Sequence, residues 1–176
     1  MAGAVRRHRL AVSVIRLTPD DAQALQALRR EALILHPTAF SADPDIEAQF
    51  TLDQWRDRLR TRVWFGGKLD GVLCGMAAFS TEASKKTRHT GHLGSMYVRK
   101  EARGTGMADQ LIEAFIDHAT KHVEQVALTV EAGNARAIRL YERHGFRTIG
   151  KMPRSILVDG VYYDELQMFR GVSASD

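Results

Sequence analysis

Two hydrophobic rhythms alternate along the chain, and their order predicts its architecture. Ala11 to Arg16 switches between apolar and polar positions with the period of two that marks a strand. Thr18-Pro19-Asp20-Asp21 then supplies a hydroxyl cap, a proline for the first turn and acids for the positive end of a helix dipole. Ala24, Leu25, Leu28, Ala32 and Leu35 follow at helical spacing until His36-Pro37 stops the helix. Beyond a turn-rich link around Asp43-Pro44-Asp45, Leu52, Trp55 and Leu59 share one face of a second helix, Thr51 to Arg60. Strand-like runs come next at 63–69, 72–80 and 92–98. The hairpin dipeptide Asp70-Gly71 joins the first two, and the polar loop 81–89 leads to the third.

From there helix and strand take turns. Ala108, Leu111, Ile112, Phe115, Ile116 and Ala119 make one stripe of a helix over 105–120, and Val126, Leu128 and Val130 point one way from a strand at Gln125 to Glu131. Asn134 caps a short helix holding Ala137, Ile138, Leu140 and Tyr141, which ends at the glycine stop His144-Gly145. Two last strands, 146–150 and 162–169, bracket a segment containing the turn Asp159-Gly160. The order β-α-α-β-β-β-α-β-α-β-β predicts a single α/β domain with a mixed sheet over 11–170. A flexible tail at 1–10 and a short C-terminal tail at 171–176 flank it.

Composition narrows the classes. With 44% hydrophobic and 26% charged residues, the 176-residue chain has ordinary globular composition, which excludes wholesale disorder. Its net charge of +4 is scattered. The densest clusters, Arg6-Arg7-His8-Arg9 and Lys85-Lys86-Thr87-Arg88-His89, have no interleaved aromatics and no DNA-binding motif. A solvated surface, or attraction for an anionic cofactor, explains them more economically than a nucleic-acid partner. The lone Cys74 excludes an internal disulfide and a multi-cysteine zinc site, suits a reducing cytoplasm, and sits among apolar neighbours like a buried structural thiol. The apolar run Leu10 to Ile15 is shorter than a secretory core, and no run approaches the ~20 residues of a membrane span. A soluble cytoplasmic protein with no membrane partner is the expectation.

The segment Leu93 to Ile116 reads as strand, glycine turn, helix. Gly104 and Gly106 let the main chain curl with nothing blocking close approach. The first amides of the helix have no internal partner and carry the positive end of its dipole, so the turn can seat phosphate oxygens. Two nucleotide alternatives fail on spacing. No G-x-x-x-x-G-K-[ST] string occurs, and Gly104-Thr105-Gly106-Met107-Ala108-Asp109 lacks the third glycine of a dinucleotide fingerprint. His118 and His122 stand i, i+4, but without His-Glu-x-x-His or a third ligand they read as a solvent-facing pair, and no metal is expected. Ser95 lacks a G-x-S-x-G setting.

Met96-Tyr97-Val98-Arg99-Lys100-Glu101-Ala102-Arg103-Gly104-Thr105-Gly106-Met107-Ala108 resembles the R-x-x-G-x-G/A signature of the GNAT superfamily of N-acetyltransferases. Leu128 to Phe146, with Asn134 and Leu140-Tyr141-Glu142, is similar to its strand, Asn-led helix and glycine–phenylalanine ending. Val158 to Met168 is similar to the final strands of many bacterial members. Ala108 stands where a glycine is commoner.

The resemblance implies the GNAT fold: a mixed central sheet with helices on both faces and strands splayed at an acetyl-CoA site. It implies direct transfer of acetyl from acetyl-CoA to a primary amine on a small molecule or peptide. Met96, Tyr97, Val98, Arg103, Gly104, Thr105, Gly106, Met107, Ala108, Asn134 and Tyr141 then contact the cofactor. A main-chain amide of the 96–98 strand polarises the thioester carbonyl, and Tyr141 is the general acid for the thiolate. Some members carry a glutamate base at the position of His92, and an imidazole is a side chain able to serve as a base. Glu82 and Glu131 are further carboxylate candidates, and water serves many relatives. Phe40, Trp55, Arg154 and Tyr162 are candidates to line the acceptor pocket, with Phe40 and Trp55 reading first as core. Homodimers are common in the superfamily. A non-catalytic acyl-CoA sensor on the same fold and a basic nucleic-acid-binding domain are the competing readings.

Overall fold

The computed structural model describes residues 11–172. The basic cluster at residues 6–9 and the N-terminal tail lie outside them. Strand β1 (Val12–Arg16) is followed by helix α1 (Ala22–Leu35), the four-residue α2 (Pro44–Glu47) and α3 (Leu52–Thr61). Then come β2 (Val63–Leu69), β3 (Val72–Thr81), β4 (Thr90–Val98), α4 (Met107–Ala119), β5 (Gln125–Glu131), α5 (Ala135–Arg143), β6 (Arg147–Val158) and β7 (Val161–Gly171). Seven strands form one mixed sheet in the order β1-β2-β3-β4-β5-β7-β6, in which only β4 and β5 run parallel.

The caps read from sequence hold the helix starts. Thr51 and Gln54 exchange the two bonds of a capping box before α3, and the Asn134 side chain accepts from Ala137 N–H at 3.1 Å before α5. Each sheet face buries its own core. Leu25, Leu28 and Ala32 of α1 and Trp55 and Leu59 of α3 pack with Trp64, Met76 and Tyr97 on one side. On the other, Met107, Leu111, Ile112 and Phe115 of α4 meet Phe79, Val126, Met168 and Tyr141. Met107 sits so close to β2 and β3 that a Cβ at Gly67 or Gly75 would lie 2.6 or 2.8 Å from it. Glycine at those positions is what lets the helix descend onto the sheet.

Three expectations change. The segment between 150 and 162 is not a link: β6 and β7 form one long hairpin turning at Asp159-Gly160, with a register break between Met152 and Ile156. Pro153 and the left-handed Arg154 (φ 56°) sit in that break and mask the strand rhythm in the sequence. The last strand also runs to Gly171, and Val172 N–H donates to Glu124 O at 2.9 Å. His118 is half-buried rather than solvent-facing. Its ring stands edge-on to Phe79 at 4.8 Å and stacks on His122 at 4.1 Å.

Candidate acetyl-transfer site

β4 and β5 begin as neighbours and then part. Their pairing covers Thr90–Gln125, Gly91–Val126 and His92–Ala127 only, although both strands continue for several residues. On its other edge β4 bulges against β3: two residues, Ser95 and Met96, answer the single Ala77, and Ser95 takes φ 54°. Past the bulge, Arg99 N–H donates to Cys74 O at 2.8 Å. Strand alternation therefore turns the main chain of Met96 and Val98 the opposite way, into the gap that β5 has left. The Val98 carbonyl confirms that direction, accepting from Arg103 Nε at 3.0 Å. The Met96 and Val98 amides lie beyond the last residue of β4 that β5 pairs with.

The gap opens into a cleft of about 800 Å³ that continues to the turn before α4. Gly104 (φ 81°) and Gly106 (φ 87°) are both left-handed, and Gly106 is the N-cap. The first helical bond runs from Gln110 N–H to Gly106 O at 3.1 Å. Among the described residues, the amides from Gly104 to Asp109 have no main-chain acceptor. A Cβ at Gly104 would meet nothing within 4 Å, so the turn faces open space. The helix starts at Met107, not 105, because the second left-handed glycine ends the turn there. Arg103, Arg136 and Arg143 line this end of the cleft. Its one acid, Asp109, is engaged by Arg143 at 2.7 Å and His144 at 3.0 Å; burial pushes its pKa up, but those partners more than reverse this and hold it below the usual range. Free amides, a helix start and an arginine rim fit a diphosphate.

Tyr141 rises from α5 into the middle of the cleft. It is 6% exposed, edge-on to Phe146 at 6.0 Å, and its hydroxyl has no hydrogen bond among the described residues. Burial pushes its pKa up, so the phenol keeps its proton well above neutral pH. Asn134, at the N-terminus of the same helix, also lines the cleft. Tyr97 instead sends its side chain to the opposite core, where its hydroxyl donates to Glu31 at 2.9 Å; burial and that carboxylate raise its pKa to about 12.

The structure thus gathers Met96, Tyr97, Val98, Arg103, Gly104, Gly106, Ala108, Asn134 and Tyr141 around one cleft. Thr105 and Met107 do not line it with their side chains. The Thr105 hydroxyl closes the turn onto Ala102 O at 2.7 Å, and the Met107 side chain is wholly buried under the sheet, so only their main chains remain for a ligand. His92 stands where β4 is still paired on both edges, with Ser80 and Ala127, upstream of the gap and outside the cleft lining. Of the acceptor-pocket candidates, only Phe40 lines the cleft. Trp55 is core, and Arg154 stacks 3.9 Å over Tyr162 out on the hairpin. The sequence reading missed Arg29, His36 and Glu165, which come from elements far apart in the chain. His36 closes the end of α1, its Nε2 3.2 Å from Arg103, and burial followed by the guanidinium's charge depresses its pKa.

The fold matches known proteins. The family model described as Acetyltransferase (GNAT) family fits residues 25–146, and the chain belongs to that family. An acetyltransferase of the GNAT family from Streptococcus pneumoniae superposes with a TM-score of 0.82 at 24% identity, covering 92% of this chain and 99% of that one. A protein of Salmonella typhimurium, solved with its cofactor acetyl-CoA, superposes at 0.78 and 22% identity, covering 94% and 96%. Among curated relatives, N-alpha-acetyltransferase 30 of Saccharomyces cerevisiae is 27% identical over 64% of this chain and 64% of its own length. The L-methionine sulfoximine/L-methionine sulfone acetyltransferase of Pseudomonas aeruginosa is 39% identical over 34% of this chain and 36% of its own. The chain therefore spans less than two thirds of the length of these curated relatives.

Proposed function

We propose that this protein transfers the acetyl group of acetyl-CoA to a primary amine by direct attack within the cleft. One observation carries the reading: a turn with open amides, a strand that β5 leaves uncovered and a buried tyrosine with no hydrogen bond among the described residues open on the same space. Main-chain amides of residues 104–108 hold the diphosphate. The amides of Met96 and Val98 face the thioester end, where a fixed donor stabilises charge growing on the carbonyl oxygen. Asn134 adds a polar contact while capping α5. Tyr141, still protonated, gives its proton to the departing sulfur.

The relatives support amine acceptors. Beside the yeast protein, an L-amino acid N-acetyltransferase of Escherichia coli is 26% identical over 66% of this chain. The test is a screen of L-amino acids, polyamines and peptide N-termini, with acetyl-CoA as donor and CoA release as the readout. The proposal expects turnover that Tyr141→Phe removes. Transfer undiminished in that variant removes the proposed acid, and acetyl-CoA binding without turnover of any amine favours a sensor.

A further inference from the structure

Two carboxylates line the same cleft, and among the described residues no cation neutralises them. Glu131 ends β5 and stands directly opposite Glu165 of β7. Ala132 N–H donates to Asp164 O at 2.8 Å, so the neighbouring 131–165 pair occupies a non-hydrogen-bonded position. There opposed Cα atoms approach to about 4.5 Å and the side chains share a face. Both residues line the cleft. Glu131 Oε1 accepts from Gly133 N–H at 2.7 Å, and Glu165 Oε2 accepts from the Ser155 hydroxyl at 2.6 Å. Neither takes part in a salt bridge among the described residues, whereas Asp164, next along the chain, holds Lys151 at 2.7 Å.

Like charges directly opposed on paired strands destabilise them, and among the described residues only neutral donors, the Gly133 amide and the Ser155 hydroxyl, meet these two carboxylates. A second feature of the same cleft also lacks its partner. Tyr141 is more than nine-tenths buried, yet its hydroxyl bonds to nothing in the described chain and is not among the sealed-off polar atoms. A donor and an anionic pair open on one space, and neither meets a charged or hydrogen-bonding partner of opposite kind from the other side of the cleft among the described residues.

We propose that Glu131 and Glu165 together dock the ammonium of a primary-amine acceptor and take the proton it must lose before attack. This rests on the acetyl-transfer reading above. An ammonium is a compact cation with three donors, and Glu131 Oε2 and Glu165 Oε1 remain free to receive it. One ammonium proton passes to the pair, and the freed nitrogen lone pair forms the bond to the acetyl carbon. As the carbon–sulfur bond breaks, the sulfur takes the Tyr141 proton. The proton then shed by the new amide nitrogen restores the phenol through solvent, and the carboxyl proton leaves to solvent. The sum is ammonium plus thioester giving amide, thiol and one proton.

The test uses Glu131→Gln, Glu165→Gln and the double variant, since glutamine keeps an oxygen for Gly133 N–H and for the Ser155 hydroxyl. The acceptor is whichever amine of the screen the wild type turns over fastest. Each single change should lower kcat/KM about tenfold and the double change about a hundredfold, the scale of a lost proton acceptor. Acetyl-CoA affinity should stay unchanged by calorimetry, and Tm should hold or rise as repulsion is relieved. A double variant within twofold of wild type overturns the inference and leaves the transferase reading standing. A fall in Tm or in acetyl-CoA affinity that accounts for the loss also overturns it. A wild type that binds acetyl-CoA but acetylates no amine overturns the parent reading, and this one with it.

Discussion

The two ends of the cleft are built from different materials. The end proposed to seat the diphosphate uses main chain: two left-handed glycines, the open amides of one helix and a strand that its neighbour has abandoned. The end proposed for the acceptor uses side chains gathered from α1, the link after it, β5 and β7, among them Arg29, His36, Phe40, Glu131 and Glu165. A main-chain site can be specified within a dozen consecutive residues and serves any member that binds the same ligand. A side-chain site exists only once distant elements have met, and it is free to differ from relative to relative. One end is general and the other is particular.

Changes at the junction of the two ends should cost most. Tyr141→Phe keeps the packing against Phe146 and removes only the hydroxyl, so kcat should fall by about 10²–10³ while acetyl-CoA affinity stays within twofold. Stopped assays on the folded variant check it. At the main-chain end, Gly106→Asp places a carboxylate against the diphosphate at a residue with φ 87°. Affinity for acetyl-CoA should weaken by roughly 30-fold or more, about 2 kcal/mol, measured by calorimetry.

The frame between the ends should respond more modestly and in a different readout. Glu31 joins α1 to β4, accepting from the Tyr97 hydroxyl at 2.9 Å and from Arg99 Nε at 2.9 Å. Burial pushes its pKa up, but the bonds from Arg99 and Tyr97 outweigh burial and leave it depressed. A depressed carboxylate contributes stability that is present above its unfolded pKa and lost as pH falls through the folded one. Glu31→Gln should therefore cost about 1 kcal/mol at pH 7 in urea unfolding, and the difference from wild type should vanish in acid below that lower pKa. The smallest effect belongs to His92. Because it lies outside the cleft lining, His92→Ala should leave kcat/KM within about twofold; a hundredfold loss would restore it as a base.

The same contrast explains what the sequence disclosed. The turn at 103–108, the Asn134 cap and the stripe of α4 are local, and each could be read from spacing alone. The splay of β4 from β5 came through family resemblance, since no residue announces that two strands part. Glu165 was hidden because its role depends on register: only the pairing of β5 with β7 sets it opposite Glu131. The β6–β7 hairpin was misread where Pro153 and Arg154 interrupt the alternation, although the strand itself continues. His92 was chosen by counting along a strand, which cannot tell where a neighbouring strand stops covering it.

A crystal of the protein grown with acetyl-CoA would put the central claim to the most direct trial. The diphosphate oxygens should lie about 2.7–3.2 Å from main-chain nitrogens between residues 104 and 108, with the thioester between β4 and Tyr141. A diphosphate bound anywhere else, or no acetyl-CoA bound at saturating concentration, would contradict the account.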